Sequence, residues 1–134
     1  MTGVQTCALP IFAAQLVSGL GTAINGGNDN DKYSLTYPTG VLNSGTVTIG
    51  DTGGTDAATV SGSSAADTLF FTTAEPPTTA TTEQVTRGDA VSEPIILPSG
   101  LESFWFRGGD GADTFTVQPS KLFPVTVEIG RAHV

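Results

Sequence analysis

The sequence predicts an all-β chain of the parallel β-solenoid type, with strands coiled as in a β-helix or β-roll. Three observations carry that expectation. Short runs that alternate apolar with Thr or Ser recur between turn signals through most of the chain. Glycine- and aspartate-rich segments punctuate them, and one, Gly108 to Thr116, reads Gly-Gly-Asp-Gly-Ala-Asp-Thr-Phe-Thr. This fits the nonapeptide G-G-x-G-x-D-x-U-x, with U a large apolar residue, found in the turns of parallel β-rolls. Finally, no window holds a persuasive 3.6-residue apolar stripe. The alternative architecture is an immunoglobulin-like or cadherin-like β-sandwich, which short alternating strands also build. Turn-linked parallel strands distinguish the first from the second.

Taken in order, Ala13–Leu20 has room for one helical turn or two before Gly19 and Gly21 end it. Strands are predicted near Tyr33–Tyr37, Thr46–Ile49, Thr59–Ser61, Thr68–Thr73, Gln84–Arg87, Pro94–Leu97, Ser103–Arg107, Thr114–Val117 and Val125–Glu128. In most of them a period of two puts an apolar pair on one face: Val47/Ile49, Leu69/Phe71, Phe104/Phe106, Phe115/Val117 and Val125/Val127. Stacking is predicted to bring Leu69, Phe71, Phe104, Phe106, Phe115 and Val117 into one core. Trp105 falls on the opposite face from its two phenylalanine neighbours, so exposure is expected. Tyr33 and Tyr37 share a face as core or rim residues. Ala74–Glu83 (AEPPTTATTE) reads as a surface loop, because tandem prolines cannot donate to a central ladder.

The complete nonapeptide has two weaker relatives upstream, Gly26 to Ser34 and Gly62 to Phe70. All three share an Asp followed two positions later by Tyr, Leu or Phe. In each, glycine supplies the unusual backbone angles of a sharp turn, and the Asp offers a carboxylate inside it. The copies start 36 and 46 residues apart. That spacing is expected for two solenoid coils per repeat, the longer interval being lengthened by the Pro/Thr-rich loop.

The stretch Ser99 to Ser120, which contains the complete nonapeptide, resembles repeats of very large bacterial secreted or surface proteins. These in turn resemble RTX-type, or hemolysin-type, calcium-binding proteins without keeping their uninterrupted nonapeptide tandem. The resemblance covers Gly26 to Glu128 unevenly. It implies calcium between consecutive turns, held by Asp carboxylates and backbone carbonyls. Transferred position by position, it makes Asp113 a calcium ligand, with Asp67 and Asp31 its equivalents in the weaker copies and Asp110 an added oxygen. Ser63 and Ala65 depart from the pattern by replacing turn glycines. The competing structural role is for each Asp to cap its own turn by accepting local backbone N–H groups.

Composition bounds the function further. A net charge of −8 with scattered acidic residues cannot build the basic face that nucleic acid requires, and it disfavours an anionic membrane surface. No run approaches the roughly 18 apolar residues of a membrane span, so no membrane insertion is expected. Met1–Ile11 (MTGVQTCALPI) and Ile129–Val134 resemble translated sequencing-adapter DNA, and both junction codons suit that origin. The protein-derived region is then expected over 12–128, as a piece of something longer. The only Cys, His and Met (Cys7, His133 and Met1) fall in the two foreign-looking segments. Without them the chain lacks a thiolate ligand, a Cys nucleophile and a histidine base. Lys32, Arg87, Arg107 and Lys121 are too spread to clamp a substrate anion, so catalysis is not expected. Arg87-Gly88-Asp89 spells a tripeptide used by integrin ligands, but it is also simply a good turn. The expectation is a non-catalytic structural or adhesive repeat segment of a secreted or cell-surface protein, stabilised by calcium. Its partners would be neighbouring repeats of the same chain and surface glycans or proteins. The alternative is an accessory β-helix module of a secreted carbohydrate-active enzyme.

Overall fold

The computed structural model describes residues 11–13, 21–40, 45–73, 82–88, 94–120 and 122–129. Among them the chain forms β1 (Ile11–Ala13), β2 (Thr22–Asn25), β3 (Lys32–Thr36), β4 (Val47–Gly50), β5 (Ala57–Ser61), β6 (Thr68–Thr73), β7 (Thr82–Arg87), β8 (Ile95–Pro98), β9 (Ser103–Arg107), β10 (Thr114–Val117) and β11 (Val125–Glu128). Two sheets result. One has five strands in the order β1-β3-β5-β9-β11, every neighbouring pair parallel. The other has six, in the order β10-β6-β7-β8-β4-β2. In this second sheet β2, β4 and β8 run parallel, as do β6 and β10, while β7 is antiparallel to both its neighbours.

The chain crosses from one sheet to the other at nearly every turn. The exception is the run β6-β7-β8, which stays in the six-stranded sheet as an antiparallel excursion. Period-two alternation explains why the sheets face each other. In β3, β5, β6 and β9 the residues Tyr33, Leu35, Ala58, Val60, Leu69, Phe71, Phe104 and Phe106 are buried, and the residues between them are not. Parallel register then lines like residues into columns, such as Leu35 beside Val60 and Val60 beside Phe106. Between the sheets Phe71 stacks on Phe104 at 5.3 Å, and Phe123 meets both rings edge-on at 6.3 and 6.1 Å. Each such ring contributes about 1.5–3 kcal/mol by leaving water.

Nine strands were anticipated within a residue or two. β1 and β2 were not, because the first is three residues long and Ile24 is the only large apolar side chain in the second. The helical turn expected over Ala13–Leu20 lies outside the described residues except for Ala13, which ends β1. Of the Pro/Thr-rich loop, Thr82 and Glu83 belong to β7 and the rest lies outside the described residues. Val117 departs from the predicted core at 38 % exposure, and Phe115 is only partly buried. Both stand on β10, an edge strand with β6 on one side and nothing described on the other.

The repeat length also differs from expectation. Hydrogen-bonded neighbours in adjacent turns lie 25 residues apart, as with Asp31 and Asp56, or 46 apart where the antiparallel excursion intervenes, as with Asp67 and Asp113. The 36-residue step from Gly26 to Gly62 therefore links different positions. Gly26 precedes the start of β3, whereas Gly62 follows the end of β5, and these two strands are parallel neighbours. The two turns stand at opposite ends of the five-stranded sheet.

Candidate metal-ligating turns

At the end where its strands begin, the five-stranded sheet is entered by three turns stacked on one another. The Thr52 N–H donates to Gly27 O (3.1 Å), Ala57 N–H to Asp31 O (3.0 Å) and Glu102 N–H to Asp56 O (3.0 Å). Side chains extend the ladder. The Asp31 N–H donates to Asp56 Oδ1 (2.7 Å), and the Asp56 N–H donates to Glu102 Oε2 (2.5 Å). Each acid thus fixes the turn before it.

Register places Asn25 beside Gly50, so Gly26 stands level with Asp51. A side chain at Gly26 would run into the Tyr33 hydroxyl and the Asp31 carboxylate. Its absence leaves room for those two groups. Asp31, Asp51 and Asp56 each bring one carboxylate oxygen within 4.8 Å of the other two. Asp31 and Asp56 are each 1 % exposed and Asp51 is half-buried. The Tyr33 hydroxyl donates to Asp51 Oδ2 (2.5 Å), and the Gly53 N–H donates to Asp51 Oδ1 (3.1 Å). Asp51 is therefore satisfied at both oxygens. Both oxygens of Asp31 and Oδ2 of Asp56 are buried without a hydrogen-bond partner.

The electrostatics follow from this crowding. Burial pushes the Asp31 carboxyl above the usual range, and the charges of Asp51 and Asp29 push it further. Asp56 is also raised, first by burial and then by Asp51 and Glu102, against the lowering effect of the Asp31 N–H. The Tyr33 phenol is raised as well, by burial and by its bond to Asp51. No basic side chain contributes to any of these shifts.

The opposite end carries the turns 62–67 and 108–113, which contain the motif carboxylates Asp67 and Asp113. Asp67 Oδ2 accepts from the Ser63 N–H (2.5 Å) and Ser63 Oγ–H (2.8 Å), while Arg87 Nη1 stands 3.6 Å from Oδ1. Asp113 Oδ1 accepts the Asp67 N–H (3.0 Å), and its Oδ2 is buried without a partner. Gly109 adopts φ 88° and approaches the Ser63 carbonyl so closely that a side chain would clash. Asp110 is exposed at the tip of its turn. Of the four acids singled out by the motif, Asp67 and Asp113 are thus brought together, Asp110 is exposed and Asp31 stands at the other end.

Sequence reasoning overlooked Asp51 and Asp56. An alignment anchored on glycine pairs passes over Asp51-Thr-Gly-Gly-Thr-Asp56, because its first position holds Asp instead of Gly. The usable signal was an Asp at each end of a glycine-rich turn. Elsewhere, Arg87 of the Arg-Gly-Asp tripeptide is 4 % exposed, donates to Pro38 O and lies 5.0 Å from the Tyr37 ring centre. It is a structural residue, not one displayed to a receptor, and Asp89 lies outside the described residues. Trp105 is 40 % exposed, with the Arg107 guanidinium 5.6 Å from its ring centre. It borders a shallow cleft of about 300 Å³ shared with Lys32 and Thr59. No family model, curated protein or solved structure matches the chain.

Proposed function

We propose that the chain is a non-catalytic structural segment of a larger exported protein, a stretch of β-solenoid whose partners are further repeats of the same chain. The observation that carries this reading is the all-parallel five-stranded sheet, in which like side chains from successive crossings fall into columns. Solenoid coils bury their apolar faces against the coils beside them, so stability is shared between neighbours. In this reading β10 and β11 at one end, and β1 and β2 at the other, are edges waiting for the next coil. Exposed Val117 and Val127 belong to the first of these ends, at 38 and 37 % exposure.

The test compares the chain with a version extended by its native flanking residues. Unpaired strand edges associate, so the present chain should self-associate in sedimentation, and the extended one should be monomeric with a higher melting temperature. A monomeric, cooperatively melting chain that gains nothing on extension would mark a self-contained β-sandwich instead. Attachment to a carbohydrate-active enzyme is the second reading. It is favoured by Trp105, whose exposed ring beside Lys32 and Arg107 suits stacking on an acidic sugar. Quenching of Trp105 fluorescence by uronic-acid oligosaccharides, but not by neutral ones, is the outcome that reading requires.

A further inference from the structure

We infer that Asp31, Asp51 and Asp56 form a binding site for a hard divalent cation, calcium, held between the turns 26–31 and 51–56. This site shares Asp31 with the glycine-motif reading but adds Asp51 and Asp56, which that motif does not reach. It lies at the opposite end of the five-stranded sheet from Asp67 and Asp113, and it depends on Asp51, which stands where the neighbouring turn has Gly26.

Two independent observations lead to it. The first is convergence: three carboxylates from two turns bring oxygens within 4.8 Å of one another, and backbone hydrogen bonds between the turns fix that spacing. The second is want of a partner. Asp31 is 1 % exposed, yet neither of its oxygens accepts a hydrogen bond, and Asp56 Oδ2 shares that condition. Buried carboxylates are paired, hydrogen-bonded or bound to metal. Here pairing is missing, since among the described residues the salt bridges join Arg87 to Asp67 and Arg107 to Glu128. Lys32, the nearest base in sequence, lines the cleft beside Trp105.

The donor chemistry selects the ion. Every side-chain donor is oxygen, which suits calcium, magnesium or manganese and not the softer metals held by Cys or His. Calcium takes six to eight oxygens in irregular geometry, whereas magnesium demands a near-ideal octahedron. Asp51 is held by Tyr33 and Gly53, and Asp56 by the Asp31 N–H, so these carboxylates cannot rearrange freely into an octahedron. Waters and turn carbonyls would complete the shell.

The site does not depend on the chain being part of a solenoid. A self-contained domain with these two turns would bind equally well, so failure here leaves the preceding proposal standing, and the reverse also holds. The experiment uses the whole chain, stripped with chelator and titrated with calcium chloride by calorimetry and thermal melting. Binding in the range of about 10⁻⁴–10⁻³ M, typical of extracellular calcium modules, should raise the melting temperature, and magnesium should do so far less. Asp51→Asn and Asp31→Asn should each abolish the calcium-dependent rise, while Asp110→Asn keeps it. Asp31→Asn should also melt higher than wild type without calcium, because it removes an uncompensated buried charge, so loss of the response is separable from failure to fold. Terbium offers a local readout: its tyrosine-sensitised emission should fall in Tyr33→Phe while that variant still responds to calcium. No heat and no thermal shift in the wild-type chain at millimolar calcium would overturn the proposal. An undiminished response in Asp51→Asn would do the same.

Discussion

Replacing Phe104 and, separately, Trp105 by alanine tests the phase of β9, and with it the whole assignment of inside and outside. Phe104 is fully buried, stacked on Phe71 at 5.3 Å and within 5.8 and 6.1 Å of Phe106 and Phe123. Truncating such a ring costs about 3–5 kcal/mol, and loss of three ring contacts places this site toward the upper end. Trp105 is 40 % exposed and its one described ring contact is Arg107 at 5.6 Å. A surface substitution with a lost cation–π contact costs about 1 kcal/mol at most. Urea denaturation reads the difference directly. With a slope of roughly 1.5 kcal/mol/M, Phe104→Ala moves the midpoint by roughly 3 M and Trp105→Ala by less than 1 M. Single domains hold only about 5–15 kcal/mol in total, so Phe104→Leu provides a milder variant if the alanine form is unfolded at the outset. A one-residue slip in register would exchange the two faces. Equal costs at the two positions, or a larger one at Trp105, would refute the inward assignment of Phe104 and the column that joins it to Ala58 and Val125.

Other outcomes follow from the turns. Gly109→Ala should destabilise more than Gly27→Ala, although both glycines have positive φ (88° and 96°), because only the first would also drive a methyl group into the Ser63 carbonyl. Left-handed strain alone costs about 1–2 kcal/mol, and chemical denaturation of the two variants measures the excess. Arg87→Met should cost about 3–5 kcal/mol by leaving buried Asp67 without its cation, and a melting curve indistinguishable from wild type would show that Asp67 needs no such partner. In chelator the chain should be more stable at mildly acid than at neutral pH. The folded-state values of Asp31 and Asp56 are raised, so their contribution is complete below the unfolded value of 3.8 and is lost as pH rises through the folded values. Melting temperature against pH, with and without calcium, checks the sign, and calcium should flatten the decline.

The strands were legible because alternation survives in short runs: Leu69/Phe71 and Phe104/Phe106 announce both a strand and its buried face. Pairing was less so. Nothing local to Gln84–Arg87 says that β7 runs antiparallel between β6 and β8, and the intervening sequence AEPPTTAT carries no distinctive register signal. Counting residues from glycine to glycine also misled, because turns of similar composition occur at both ends of the sheet. A crossing from the six-stranded to the five-stranded sheet (Gly26 to Asp31) and one in the opposite direction (Gly62 to Asp67) look alike in one dimension.

The two sets of turns use the same ingredients to different ends, and the difference lies in what neutralises the acid. At Asp67 a serine replaces a turn glycine, and its hydroxyl and N–H both donate to the carboxylate while Arg87 approaches from β7. Asp67 thus has donors and a cation from the chain itself, while Oδ2 of Asp113 in the adjoining turn is buried without a partner. At Asp31 the neighbouring turn adds Asp51 and Asp56 and brings no cation. Stacking two such turns compounds the repulsion, because the backbone bonds that align them also force the carboxylates together. Protons or a metal ion would relieve that arrangement. Departure from the glycine pattern thus acts in opposite directions at the two ends: Ser63 supplies donors to Asp67, whereas Asp51 adds a third acceptor beside Asp31 and Asp56.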